Sequence, residues 1–519
     1  MRPLTPALYA TVWLLSCHKD DPAPADPTLS GAALATRISL DLRGVRPSPD
    51  ELAWAAVDPD AVEALRDAWL DDARLPERMA WLYNDTLHTA VWFEGYSRFG
   101  DLDFETWSSM GQEPLQLVAA IIAEDRPFSE LVTATELPAN NALATAWGLS
   151  RAAGDGWTAA TATDGRPMAG LLSSTSVWNR YNADITNRNR ARANFLARAL
   201  LCADFLDREV SFDFALSAEA LAQMETTAQT EPTCLSCHAA LDPLAAFLGG
   251  YTERSQEEPL EQYRQYSPYT AQWYAAWTSP AYYGHPGADL VDLGAMIAAD
   301  PRFSTCAARR FAEGLLGGPA DDDWVQGLGD DLRGHDLLIR PLLADITDGA
   351  AYRAPDERML TTEQLASSLT EALGLTTPSG ESEGLNPLYW SPERRVMGGG
   401  TDDDTVLQRN RTPGVGVLAL QRWAAAQVVP TALATDVARD DRVLYTLVDP
   451  TDADPAEETV RRQLAAWYVR VLSHPVSPTD DEVTALYTLW EEARADADVE
   501  TAWTEALSAL VRHPRAVLY

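Results

Sequence analysis

Apolar residues recur every three or four positions along most of the chain, which is the spacing of one buried helix face. This spacing predicts long helices over residues 61–82, 114–133, 190–202, 290–316, 361–373, 459–472 and 480–495. Capping residues or prolines stand ahead of acidic first turns in 48–51 and 477–480, and they predict helix starts. Strict alternation of apolar and polar residues, which is typical of strands, is scarce. The pattern therefore predicts an all-α, multi-module helical protein with long irregular loops.

Three segments, beginning at Thr36, Arg309 and Ala466, share one order of parts. Each has a short helix, a cap rich in proline and acidic residues, a second helix, and a third helix near an aromatic-containing tail. Each spans about 45–55 residues, a suitable size for a repeated three-helix unit. Ala- and Leu-rich hairpins resemble one another in any helical protein, but the shared order favours repetition. Small and polar residues in 154–165, 376–384 and 398–404 mark candidate linkers.

The first seventeen residues have the features of an export signal. Arg2 is followed by a short apolar run over residues 7–15, which is too short to span a bilayer. The run ends in Leu-Leu-Ser-Cys17, which resembles the lipobox of bacterial lipoproteins. By that resemblance Cys17 is lipidated and anchors the protein to a membrane of the cell envelope; the alternative is an ordinary cleaved secretory signal. Either signal predicts an exported protein.

Composition narrows the function classes. The chain has 519 residues, which suggests about three to four domains. Its net charge of −37 repels phosphate backbones, so we expect no nucleic-acid partner. Five cysteines are too few for a disulfide scaffold. The sequence contains no HExxH, GxSxG, Walker A or Rossmann glycine pattern, and no catalytic residue is assigned.

The sequence Cys234-Leu-Ser-Cys237-His238 is the pattern of c-type haem attachment. Two thiols about one helical turn apart can each add to a vinyl group of one porphyrin, and the adjacent histidine can ligate the iron. The motif predicts one covalent haem c held by Cys234 and Cys237, with His238 as the axial ligand. The alternatives are a thioredoxin-like motif, a structural zinc site and a disulfide within the motif.

The sixth ligand of such a haem has several candidates. Met168, after a proline in a predicted loop, is the first, and His285 is the second. Met224 and Met296 lie on helical patterns that favour the core. Of the remaining thiols, Cys202 and Cys306 would pair as a disulfide in an oxidising compartment, or stay as buried free thiols on apolar helix faces.

At this motif the chain resembles the planctomycete-type cytochrome c proteins, which are exported proteins built of helical modules. The likeness rests on AGLLSSTSV from Ala169, RARANFLARALLC from Arg190, CLSCHAALDPL from Cys234, DPRFSTCAARRF from Asp300, and shorter matches in 36–51, 125–134 and 359–374. The chain departs from the family pattern after Leu244. The resemblance implies haem attachment at the motif, a turn after the haem helix shaped by Asp242-Pro243, and contact between Cys202 and Cys306. It implies no particular reaction.

These observations predict the following organisation: a lipoprotein signal peptide (1–16), a tether (17–35), an N-terminal helical module (36–150), a cytochrome c-like haem module (160–320), a helical extension (321–355) and a C-terminal helical module (356–519). The predicted function is electron transfer by an exported, lipid-anchored monohaem protein to a redox or surface partner of unknown identity. The alternatives are a surface binding or scaffold protein with a structural haem, and a peroxidase-like haem enzyme.

Overall fold

The computed structural model describes residues 28–29, 31–90, 103–181, 183, 187–207, 230, 232–251, 266–376 and 382–519. Residues 1–16, Cys17, nearly all of the predicted tether up to residue 30, and Met224 lie outside this described part. Helix α1 begins at Gly31, inside the segment assigned to the tether.

The architecture is mostly helical, with 61% helix and 4% strand, which confirms the predicted helical content. The first helices are α1 (Gly31–Arg43), α2 (Pro49–Val57), α3 (Ala61–Leu70), α4 (Leu75–Leu87), α5 (Phe104–Ala123), α6 (Glu130–Thr133), α7 (Asn141–Trp147), α8 (Thr175–Arg180), α9 (Arg190–Leu201), α10 (Pro232–Ala246) and α11 (Pro268–Trp277). They are followed by α12 (Leu290–Ala299), α13 (Pro301–Leu316), α14 (Asp322–Gly334), α15 (Ile339–Asp348), α16 (Thr362–Ala372), α17 (Pro387–Trp390), α18 (Pro392–Met397), α19 (Val415–Ala438), α20 (Glu457–Leu472), α21 (Asp481–Asp496) and α22 (Val499–Val511).

Two small antiparallel sheets interrupt the helices. Strands β1 (Leu137–Ala139), β2 (Leu149–Arg151) and β3 (Thr158–Ala162) form one sheet in the order β1-β3-β2. Strands β4 (Ala281–Tyr282) and β5 (His285–Pro286) form a short hairpin. Strand β3 lies within 154–165, so the prediction of a linker there is wrong. The side chains of β3 are small and do not alternate between apolar and polar, so the sequence gives no strand signal. The strand is supported by pairing with β1 on one side and with β2 on the other.

Two predicted helices are each divided in two. The helix predicted over 290–316 ends at Ala299, because Pro301 has no N–H and forces Asp300 into an extended conformation with ψ 124°. Asp300 then caps the next helix by accepting a hydrogen bond from the N–H of Arg302. The helix predicted over 61–82 stops at Leu70 and restarts at Leu75. Periodicity continues through such breaks, so it predicts the buried face better than it predicts the helix ends.

Three-helix units occur at each of the predicted repeats, and their first connections share a backbone conformation. The residue after the first helix is left-handed in all three: Gly44 has φ 72°, Gly317 has φ 69° and Ser473 has φ 51°. A proline follows three residues later in the first case and two residues later in the others, and an acidic first turn begins the next helix. The common connection supports genuine repetition.

Two large apolar cores, beside a smaller cluster around Trp147, organise the described residues. The first core runs from Leu34 to Tyr352 and includes Trp390, so the segments predicted as separate modules on either side of residues 155 and 320 share it. The second core runs from Leu360 to Val517 and includes Leu40 of α1. Helix α1 thus contributes to both cores. Among the described residues, no helix combines the length and apolar character needed to cross a bilayer.

Candidate functional site

Helix α10 carries the whole Cys234–His238 motif. Cys234 and Cys237 are three positions apart, so their side chains leave the helix on the same face. Each is half-buried, and each is a free thiol. The disulfide that was one alternative for the motif is therefore not formed.

A carboxylate and a guanidinium hold the imidazole of His238. His238 Nδ1 lies 3.0 Å from Asp242 Oδ1, one helical turn further along α10. Arg190 of α9 donates to the same carboxylate through Nε, 2.6 Å from Oδ1, and through Nη2, 3.0 Å from Oδ2. Asp242 is only 4% exposed, so these contacts are shielded from water. The arrangement orients the ring and directs Nε2 away from the carboxylate.

The expectation that Asp242-Pro243 shapes a turn after the haem helix is wrong. Helix α10 continues through both residues to Ala246. Proline at position 243 leaves one backbone carbonyl in the preceding turn without its helical donor. The role of Asp242 is instead to accept hydrogen bonds from His238 and Arg190.

The electrostatic balance at Asp242 favours the ionised form. Burial by itself would raise the pKa of this carboxyl. The hydrogen bonds from His238 and Arg190, together with the charge of Arg190, outweigh burial and lower the pKa below its ordinary value. Asp242 is therefore a carboxylate at neutral pH, and it favours the tautomer of His238 with the proton on Nδ1.

The surroundings of the motif come from α9 and from the β4–β5 hairpin. Cys237 Sγ lies 3.6 Å from the carbonyl oxygen of Phe205, just after α9. The Phe205 ring stacks on Tyr283 of the hairpin, with centroids 6.2 Å apart. Strand β4 packs against α10. These contacts fix one side of the helix, while Leu235 is 36% exposed on another.

Cys202 and Cys306 are joined by a disulfide, the pairing that the sequence favoured over buried free thiols. The bond connects the C-terminal end of α9 to α13 across 104 residues of sequence. Helix α9 thus lies between α10, which carries the motif, and α13, to which it is covalently tied. The disulfide fixes the helix that supplies Arg190.

The candidates for a sixth ligand lie in different surroundings. Met168 is half-buried and packs against the first core. His285 is exposed in the hairpin whose first strand packs on α10. Met296 packs against the first core, as its helical pattern predicted. The structure gives no contact between Met168 or His285 and the motif among the described residues, so the identity of this ligand stays a prediction.

The donor set fits a haem better than it fits a structural zinc ion. Zinc requires about four ligands around one point. In the part of the chain that the structure describes, no group of three or more His, Cys, Asp or Glu side chains converges as a metal site. Two free thiols on one helix face, followed by an imidazole oriented through Nδ1, match the requirements of covalent attachment and one axial bond.

Sequence reasoning missed that Asp242 and Arg190 orient His238. The spacing of His238 and Asp242, four positions apart on a predicted helix, was a local signal that could have identified the pair. Arg190 is 52 positions from Asp242, and no sequence pattern links them.

Comparison with known proteins assigns no relatives. No protein-family model matches this chain, and neither a curated protein nor a solved structure matches it.

Proposed function

We propose that the protein is an exported, lipid-anchored electron carrier with one covalent haem c. The observation that supports this proposal is the arrangement of two free thiols and one carboxylate-oriented imidazole on helix α10. The lipobox-like sequence ending at Cys17 supports export and anchoring. The disulfide between Cys202 and Cys306 is consistent with an oxidising compartment outside the cytoplasm.

Each residue of the motif has a defined role in this proposal. The thiols of Cys234 and Cys237 would hold the haem through two thioethers, each formed by adding one S–H across one vinyl double bond, which needs no oxidant. His238 would present Nε2 to the iron while Asp242 holds the proton on Nδ1. Bound haem would supply reversible one-electron chemistry. Met168 remains the proposed sixth ligand.

Electron transfer is the function that requires least beyond the motif. It needs a haem, a donor and an acceptor, whereas a peroxidase-like enzyme also needs an open iron position and a substrate path. The partner is a redox or surface protein that the acidic surface would select by charge, since the net charge of −37 favours basic contacts. A structural role for haem within a binding protein is the remaining alternative.

The decisive experiment is expression with export in a host that has the c-type haem maturation machinery. We expect a covalent haem on a denaturing haem-stained gel and a sharp six-coordinate spectrum after reduction. The Cys234→Ala/Cys237→Ala variant should lose the stain, whereas Ser236→Ala, which changes the same turn of the helix but leaves both thiols in place, should keep it. Folded wild-type protein without covalent haem would overturn the proposal. A high-spin spectrum would instead favour the peroxidase-like enzyme.

A further inference from the structure

A cleft of about 470 Å³ lies between the two cores, away from the Cys234–His238 motif. Helices α4 and α5 form one side, and α16 with the segment around α17 forms the other. We call it the α4–α16 cleft. Its walls combine aromatic rings and uncharged polar side chains with three arginines (Arg43, Arg74 and Arg78) and three glutamates (Glu77, Glu363 and Glu371). Aromatic surface with a few polar and charged groups is typical of a small-molecule site.

Four aromatic side chains form one wall. Trp81 meets Tyr389 with ring centroids 5.1 Å apart and meets Trp390 at 5.6 Å. Phe104 lies 6.1 Å from Trp390. All three pairs are edge-to-face, so each ring restricts the rotation of its neighbour. Because these side chains are already held in place, they lose little conformational entropy when a ligand packs on them.

Arg78 differs from the other arginines that line the cleft. Arg43 is 3.1 Å from Glu51, and Arg74 is 2.9 Å from Asp72. Arg78 is 8% exposed, and within the described residues its guanidinium has neither a carboxylate partner nor a hydrogen-bond acceptor. Its Nε is buried and unsatisfied. A desolvated cation normally has a partner, so the position is prepared for an anionic group from outside the chain.

Uncharged hydrogen-bonding groups and three glutamates surround the remaining space. Glu371 lies 3.6 Å from Arg74 and Glu363 lies 3.4 Å from Arg409, so both are paired within the chain, and Glu77 is exposed. Ser108 and Gln112 of α5 line the space on one side, and Ser367 and Thr370 of α16 line it on the other. Hydroxyl and amide groups can each act as donor and acceptor, which suits a ligand that has several hydroxyl groups.

We propose that the α4–α16 cleft binds a carboxylated sugar of the uronic-acid class. The ligand's carboxylate pairs with the guanidinium of Arg78, an apolar face of its ring packs on Trp81 and Tyr389, and its hydroxyl groups bond to Ser108 and Thr370. A carboxylate can accept hydrogen bonds from the terminal nitrogens of the planar guanidinium, whereas the buried Nε lies out of reach of a ligand in the cleft. This binding does not depend on haem at the Cys234–His238 motif.

The test is calorimetric titration of the full mature chain with D-galacturonate, D-glucuronate and a trigalacturonate, with D-galactose as the uncharged control. We expect binding of at least one uronate and at least tenfold weaker binding of galactose. Tighter binding of the trimer would indicate a polysaccharide source, and equal binding a free sugar. Failure of all three uronates to bind at millimolar concentration would overturn the proposal.

Two kinds of variant locate the binding. Arg78→Gln should weaken uronate binding at least tenfold while the far-ultraviolet circular dichroism stays unchanged. Thr370→Trp fills the cleft without altering Arg78 and should abolish binding, whereas Thr370→Val, of nearly the same size as threonine, should retain most of it. Because Thr370 is half-buried, this pair remains informative if Arg78→Gln does not fold. Unchanged affinity in Thr370→Trp would contradict the assignment to this cleft.

Discussion

At the scale of single residues, the most consequential contact is the one between His238 and Asp242. A histidine that donates Nδ1–H to a carboxylate is a stronger electron donor through Nε2 than one that donates to a neutral acceptor. Arg190 shares the carboxylate and moderates this effect, because it draws part of the negative charge. With the proposed haem bound at the motif, the pair would therefore influence how strongly the protein stabilises ferric over ferrous iron.

This contact gives a prediction for the reduction potential. Asp242→Asn keeps the shape of the side chain but removes its charge, so His238 becomes a weaker donor and the midpoint potential should rise. Spectroelectrochemical titration of the haem-loaded protein measures it. Asp207→Asn, which removes an exposed charge shortly after α9, is the control and should change the potential far less. Equal potentials for Asp242→Asn and wild type would exclude this positioning role for Asp242.

At the scale of elements, the three repeated units show how one connection is built from different residues. Glycine adopts the left-handed conformation at positions 44 and 317 without steric cost. The third unit places Ser473 there, with φ 51° and with a buried Oγ that has no hydrogen-bond partner. The connection in the third unit thus has a higher free energy than the connections in the other two units, although its backbone conformation is the same.

Exchanging residues between the units should change stability in opposite directions. Ser473→Gly removes the strain and the unsatisfied hydroxyl, and it should raise the free energy of unfolding by about 1 kcal/mol. Gly317→Ala introduces the strain and places a Cβ 3.3 Å from Arg411 Nη1, so it should lower that free energy by about 1 kcal/mol. Denaturant unfolding measures both. Destabilisation by Ser473→Gly would show that the serine has a role that the backbone conformation does not explain.

At the scale of the whole molecule, buried polar groups join the two cores. Asp41 of α1 accepts hydrogen bonds from the phenols of Tyr352, at 2.8 Å, and Tyr519, at 2.6 Å. Arg46 donates to the carbonyl oxygens of Leu472 and Arg515. These contacts link the first unit to the ends of the others, since buried polar groups must find partners wherever the fold supplies them.

A second junction centres on Asp403, which is fully buried. Its carboxylate lies 2.7 Å from Arg395 Nη1 and 2.9 Å from His88 Nδ1, and it accepts hydrogen bonds from Asn84 and Thr401. Burial alone would raise the pKa of Asp403, but the charge of Arg395 and the hydrogen bonds from His88 and Thr401 lower it well below its usual range. The folded state therefore favours the ionised form of the Asp403 carboxyl.

The sign of this shift predicts how stability depends on pH. A carboxyl with a lower pKa in the folded state stabilises the fold above its unfolded pKa of about 3.9, and this contribution is lost as the pH falls further. Asp403→Asn should cost about 3 kcal/mol at pH 7, because Arg395 stays buried without its partner. The difference from wild type should shrink as the pH falls from about 5 towards 2.5. Denaturant midpoints across this range measure it.

The exposed neighbour Asp404 provides the matched control for that prediction. It lies 3.7 Å from Arg180 at the surface, so Asp404→Asn should change the free energy of unfolding by less than about 1 kcal/mol. A pH dependence in Asp403→Asn as steep as that of wild type would contradict the assignment of the effect to Asp403.

Local sequence rules predicted the features that depend on near neighbours. The helical content follows from periodicity, and the start of α2 follows from Ser48 and Glu51, which form the reciprocal hydrogen bonds of a capping box. The Cys234–His238 motif is likewise local. The charged partner of His238, Asp242, lies four residues later in the same helix, so its contact with the imidazole is also a local feature.

Features that depend on distant residues required the tertiary structure. No local pattern distinguishes a tryptophan of the α4–α16 cleft from one of the core, or the unpaired Arg78 from the paired Arg74. Strand β3 likewise depends on pairing with β1 and β2, which both precede it in the chain and flank it in the sheet.

The sequence alone therefore determined the helical class, the buried faces, and the cysteine and histidine side chains that could hold a haem, because these follow from residue spacing within a few turns. Only the tertiary structure decided that α1 enters both cores, that Arg190 and Asp242 orient His238, and that a cleft leaves Arg78 without a partner. The physical reason is that burial and charge pairing are set by which distant segments pack together, and a side chain's own neighbours in sequence do not specify them.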